Sequence, residues 1–173
     1  MYESEFPLDD SIIYLNHAAV SPWPRRTADA VKRFADENVA VGSRNYPTWL
    51  DTEYTLRQQL QQLINATSSE EIALLKNTSE ALSVVAYGLP WKSGDNVVNT
   101  SQEFPSNRVV WESLQKYGVI TRAADINAGD SPEMAILDAL DDHTRLLSVS
   151  AVQSGSGLKL DLAILGTACR ERN

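Results

Sequence analysis

From Ile72 onward, short apolar runs alternate with helical periods, and this alternation limits what the chain can fold into more than any other feature. Runs near 72–76, 96–100, 119–123 and 145–152 carry Val, Ile and Leu at strand length. Helical periods lie near 78–88, 105–117 and 132–141, and another begins near Asp161. Ser131 before Pro132 marks one helix start, and Gly118 marks one helix end. Strands joined through helices run parallel, because the chain must cross over before it can pair again. The expected class is α/β, three layers with a largely parallel sheet flanked by helices.

Residues 1–66 read differently. Ile12 to Leu15 ("IIYL") has the composition of a short strand, and the loop "HAAVSPWP" follows it. Pro24 opens a helix with the apolar stripe Val31, Phe34, Ala35 and Val39, and Gly42 ends it. A second helix is expected from about Trp49 to Ile64, with Leu56, Leu60, Leu63 and Ile64 on one side. This divides the chain into an amino-terminal segment with a helical lead-in (1–66) and an α/β part (67–173). No internal repeat, low-complexity tract or linker interrupts it.

Composition excludes several function classes. A net charge of -8 and a pI near 4.7 leave no basic face for phosphate backbones, so no nucleic-acid partner is expected. No apolar run reaches membrane-spanning length, and the start "MYESEFPLDD" is acidic, so no membrane partner is expected and a cytoplasmic location is. Cys169 is the only cysteine and His17 and His143 the only histidines, which argues against a disulfide or a metal centre. The carboxylate pairs Asp9-Asp10 and Asp141-Asp142 read as solvated loop charges.

Three polar knots sit where predicted strands end and helices begin, the edge at which open α/β sheets bind ligands. In "KNTSEAL" (76–82), Asn77 and Glu80 have capping-box spacing, and the first amides of the helix would face outward beside the hydroxyls of Thr78 and Ser79. These residues alone leave both a structural cap and an anion seat open. In "SQEFPSNRVVW" (101–111), Phe104 is a core residue on one reading and a ring facing a ligand on the other. The third knot is "VQSGSGL" (152–158). Three knots along one edge are consistent with a flat, phosphorylated ligand.

The blocks "YLNHAAVSPWP", "LLKNTSEALSVVAYGLPWKSGDNVV", "QEFPSNRVVW" and "VSAVQSGSGLKLDLAILGTACRER" occur in this order along nearly the whole chain. Together they resemble the class V aminotransferase family, the fold type I pyridoxal-phosphate enzymes that include cysteine desulfurases and isopenicillin N epimerase-like proteins. The resemblance implies that 67–173 is the first part of the cofactor-binding α/β domain, an incomplete fold type I large domain. It implies that Thr78 and Ser79 bind the phosphate of pyridoxal 5′-phosphate and that Phe104 takes the place of the residue stacked on the pyridine. Ser154, with Gln153, would lie where many members place an Asn toward the cofactor's 3′ oxygen, and Asn16 and His17 would approach the substrate. An amino acid or related amine would be the substrate, and a homo-oligomer the assembly.

The chain also departs from that pattern. The desulfurases have His where Phe104 stands, which favours aminotransferase, lyase or epimerase-like chemistry, and Ser154 replaces the Asn. The resemblance places the lysine that holds the cofactor, and the Asp that pairs with its ring nitrogen, beyond Asn173. Lys32, Lys92 and Lys159 read as exposed face, turn or loop residues, Lys116 as part of a helix's last turn, and Lys76 lies beside the anion seat rather than the ring. No residue here is therefore assigned as catalytic, and the chain alone is expected to be catalytically incompetent. Two other readings stay open: a non-catalytic interaction scaffold or pseudoenzyme, and a nucleotide-binding α/β domain whose "GSG" (155–157) falls short of the full glycine pattern.

Overall fold

In the computed structural model, which describes residues 2–172, the chain divides into two compact units, one up to Leu74 and the other from Leu75. The first unit is built on two helices. Pro24, in extended conformation, admits α1 (Arg25–Val41), and Gly42 at φ +59° ends it while its amide donates to the Asn38 carbonyl. Helix α2 (Tyr46–Ile64) begins with Pro47 in its first turn and ends at Asn65, a left-handed residue that closes the last turn. Neither helix contains a fully buried residue. Phe34 meets Trp49 edge-on at 5.1 Å, and the Trp49 indole donates to Glu37 at 3.2 Å. Arg57 pairs with Glu53 at 2.8 Å and also donates to the Ile72 carbonyl.

The strands expected at Ile12–Leu15 and 72–76 are not formed. A strand exists only by pairing with another, and neither segment pairs with any described strand. Ile13 and Leu15 stay 88% and 85% exposed, and Ile12 closes a turn on the Asp9 carbonyl instead. At the second segment the Ile72 amide closes a turn on Ser69.

The second unit contains the sheet. Its elements are α3 (Thr78–Gly88), β1 (Asn96–Thr100), α4 (Ser106–Glu112), β2 (Ile120–Ala124), α5 (Pro132–Asp138), β3 (Thr144–Leu147) and α6 (Leu162–Glu171). The strands run parallel in the order β2-β1-β3. Strand β1 is buried along its whole length, and its alternate side chains feed two cores. Val97 packs with Ala86, Val110, Trp111, Leu114 and Val119 from the α3 and α4 side. Val98 packs with Ala124, Ile126, Ile136, Leu160 and Leu165 from the α5 and α6 side. Helices thus cover both faces of a parallel sheet, the three-layer α/β class expected.

Several boundaries moved. Helix α4 tightens after Glu112 into a 3-10 turn over Ser113–Tyr117, which Gly118 ends at φ +78°. A Cβ at Gly118 would come within 2.4 Å of the Ser93 hydroxyl, so the close approach requires glycine. Helix α5 stops at Asp138, and beyond it Asp141 accepts from Asn96 at 2.7 Å. Strand β3 stops at Leu147 rather than near residue 152; the Ser148 amide still donates to the Val98 carbonyl of β1 at 2.9 Å, and by Ser150 the amide is bonded to the Glu103 carboxylate instead.

Candidate functional site

Helix α3 begins at the carboxyl edge of the sheet, and its sequence cap forms. Asn77 accepts from the Glu80 amide at 2.9 Å, and the Glu80 carboxylate reaches back to the Lys76 amide at 2.9 Å. The reciprocal bond falls one residue before the cap, and the amides of Thr78 and Ser79, like those of any first helical turn, have no backbone acceptor within the helix. Both residues are exposed. The Ser83 hydroxyl donates back to the Ser79 carbonyl at 2.7 Å, a local helix bond that leaves the Ser79 side chain free of it. The helix dipole and these amides give a positive potential at this point.

A groove of about 420 Å³ runs between α3 and α4, lined by Ser79, Ser83 and Tyr87 on one wall and by Pro105, Ser106 and Ser113 on the other. The Tyr87 and Ser113 hydroxyls are bonded at 2.8 Å across it. The groove brings the first two polar knots together, because Pro105 directly follows Phe104. The Phe104 ring is 57% exposed, so it belongs to the surface at this edge and not to the core.

The neighbouring side chain points the other way. Glu103 is only 6% exposed, and its carboxylate accepts from the Ser150 amide at 2.7 Å and the Ser150 hydroxyl at 2.6 Å. The Gln153 side-chain amide adds a donation at 3.2 Å. Burial opposes the charge on Glu103, but the donors of Ser150, Asn107 and Gln153 outweigh it and hold the carboxyl below its usual value. Gln153 is 1% exposed, and its own carbonyl accepts from the Thr100 hydroxyl at 3.0 Å, so its side-chain amide is engaged inside the protein at both ends. Nearby, the Asn107 amide group donates to the Ser148 carbonyl at 3.2 Å, and Asn107 accepts from the Trp111 indole at 2.9 Å. The Asn99 side-chain oxygen Oδ1 is buried without a partner.

The third knot is a tight turn. Gln153 and Leu158 pair by backbone at 2.9 Å, Val152 bridges antiparallel to Lys159, and the tip exposes Ser154. Ser156 donates to Gln102 at 2.9 Å, tying this turn to the loop after β1. Thr78, Ser79, Phe104, Gln153 and Ser154 therefore all lie in the second unit. Asn16 and His17 lie in the first, where the Asn16 carbonyl accepts from Ala19 and Val20 at 3.3 Å and His17 meets Tyr14 edge-on at 5.1 Å. Sequence reasoning missed Glu103, Thr100, Asn107 and Ser150. A polar residue beside a strand end carries no periodic signal of burial, and only the three-dimensional pairing reveals it.

Comparison with known proteins agrees with this architecture. A protein of Methanothermobacter thermautotrophicus described as a probable cysteine desulfurase is 34% identical over 94% of this chain and 42% of its own length. The cysteine desulfurase of Yersinia pestis is 33% identical over 89% of the chain and 42% of its own. Among solved structures, a C-DES mutant with glycine covalently linked to its PLP cofactor superposes with a TM-score of 0.87 at 22% identity, over 98% of this chain and 46% of that one. The cysteine desulfurase CsdA of Escherichia coli superposes at 0.83 and 24% identity, over 99% and 45%. These likenesses carry the fold, and the chain spans less than half the length of the relatives it matches. No described helix is long and apolar enough to cross a membrane. The family profile described as Aminotransferase class-V matches residues 13–173, and the chain belongs to that family.

Proposed function

We propose that residues 67–173 carry the phosphate and ring-face portion of a pyridoxal-phosphate site, in an aminotransferase-like enzyme acting on an amino acid or related amine. One observation carries the reading. Ser79, on an exposed helix start with unpartnered amides, lines a groove with Pro105 and Ser106, and Phe104, which precedes Pro105 in sequence, is exposed. The residues fit the cofactor in two places, since open amides and hydroxyls suit a phosphate and an uncovered aromatic face suits a planar ring. Pyridoxal phosphate, when bound, supplies an electron sink for reactions at the carbon bearing the amine.

In this reading Thr78 and Ser79 hold the phosphate, and Phe104 covers one ring face and keeps water from it. Ser154 offers its hydroxyl to the ring oxygen, with Gln153 behind it, and Asn16 and His17 serve the substrate. Phe104 in place of His favours aminotransferase, lyase or epimerase-like chemistry over the desulfurase activity named for the relatives. The isolated chain is proposed to be catalytically incompetent. Contacts of this kind hold ground state and transition state alike and leave the barrier unchanged. Lys116 lies over the Tyr87 and Tyr117 rings at 5.2 and 5.0 Å, and Lys32 is 3.9 Å from Asp29, which supports the view that these lysines serve other contacts.

Calorimetric titration with pyridoxamine 5′-phosphate tests the site. Thr78→Ala with Ser79→Ala is expected to weaken binding at least about tenfold, and unchanged affinity would refute the phosphate seat. Borohydride reduction after incubation with pyridoxal phosphate tests incompetence, where a single stoichiometric lysine adduct accompanied by turnover would overturn it. The absence of buried residues in α1 and α2 favours a second reading, an interaction scaffold that self-associates. That reading is separated from the first by sedimentation together with a complete lack of pyridoxamine phosphate binding.

A further inference from the structure

Glu103 is a buried carboxylate with no cation among its described partners, held by neutral donors from the segment after β3. Such a charge is costly to keep out of water unless its donors are fixed. The chain keeps it one residue before Phe104, an exposed aromatic. The same short loop buries Glu103, 6% exposed, and leaves Phe104, 57% exposed, to solvent. Downstream, the Phe104 carbonyl receives the Asn107 amide at 2.8 Å, so the loop is fixed on both sides of the ring. Upstream, the Glu103 amide donates to the Thr100 carbonyl at 3.3 Å.

We propose that Glu103 is a positioning residue: its bonds to Ser150 and Gln153 pin the loop so that the Phe104 ring faces the ligand of the α3 groove. The role rests on the cofactor reading above and adds to it a residue that touches neither phosphate nor ring. Removing the charge weakens the hold on the Ser150 amide and hydroxyl, while Gln153 keeps its bonds to Thr100 and to the Ser150 carbonyl. The loop then relaxes and the ring loses its fixed orientation, while the α3 helix start, which has its own cap at Asn77, is untouched.

The test compares inorganic phosphate with pyridoxamine 5′-phosphate by calorimetry on the full chain, because only the second ligand uses the ring. In the unsubstituted chain pyridoxamine phosphate is expected to bind roughly fivefold more tightly than phosphate, the size of a stacked aromatic contact. Glu103→Gln is expected to abolish that ratio and leave phosphate affinity unchanged. Phe104→Ala should do the same, and the double variant should lose no more than either single one, since both act on one contact. Ser150→Ala, which removes one donor only, should lower the ratio less and provides the same reading should Glu103→Gln fail to fold. An unaltered ratio in both Glu103→Gln and Ser150→Ala, an equal loss for both ligands, or additive losses in the double variant would each overturn the positioning role. If the unsubstituted chain bound neither ligand, the cofactor reading would fall and this role with it, an outcome distinct from normal binding that Glu103→Gln leaves intact.

Discussion

The two units solve the folding problem in different ways. The first makes long helices from local signals and buries nothing completely in them. The second makes shorter helices, two of them of only seven residues, and draws its stability from side chains packed on both faces of β1. Helix capping follows the same line. Neither α1 nor α2 has a side-chain cap, whereas in the second unit α3, α5 and α6, though not α4, are capped, by Asn77, Ser131 and Asp161. Helix length is therefore a poor guide to where cohesion resides, and the unit with the shorter helices is the one expected to unfold as a cooperative block.

The largest test of this contrast is Trp111→Ala against Phe34→Ala. Trp111 is 1% exposed and Phe34 is 49% exposed, so the first change is expected to cost about 3–5 kcal/mol and the second less than about 1 kcal/mol. Urea denaturation would measure both, and equal costs would erase the distinction. An intermediate effect is expected from acid. Glu103 has its carboxyl held below the usual value by donors that overcome burial. Its contribution to stability is complete above the unfolded glutamate value and is lost as pH falls through the lower folded value. Melting curves of Glu103→Gln should lose this part of the acid dependence, and identical pH profiles for the two proteins would contradict it. The smallest effect concerns the caps, where Asn77→Ala should cost about 1 kcal/mol. Asn45→Ala before α2 should cost close to nothing, because that side chain makes no cap bond. Thermal melts of the pair would show whether capping really separates the units.

Much of this was legible in the sequence where the signal is local. The start and end of α3, the Ser131 and Asp161 caps, and the Gly118 stop all follow from residue types that act on their own neighbours. The strand at 96–100 was legible because an unbroken apolar centre fits a strand buried on both faces. Ile12–Leu15 and 72–76 misled because strand composition says nothing about whether a partner strand is present to pair with. At the candidate site, Thr78 and Ser79 stood out through cap spacing and Phe104 through its place after a strand. Glu103 did not, since its meaning depends on Ser150, distant in sequence but bonded to it in the fold. The end of β3 was misjudged for the same reason, because the Ser148 amide still reaches Val98 of β1 but the Ser150 amide is taken by the Glu103 carboxylate, distant in sequence.

The strand order has a consequence for the chain as it is made. β1 lies in the middle, with β2 on one side and β3 on the other. On a ribosome, Ile120–Ala124 emerges in time to pair with β1 early, but Thr144–Leu147 follows only some twenty residues later. During that interval one flank of β1 shows open amides and carbonyls, and Val98 waits without Leu160 and Leu165 to cover it. A nascent chain paused there offers a bare edge to its neighbours on the same messenger. A pause that leaves β2 emerged while β3 is still inside the ribosome should therefore lower the soluble yield, and a pause once β3 and α6 have emerged should not.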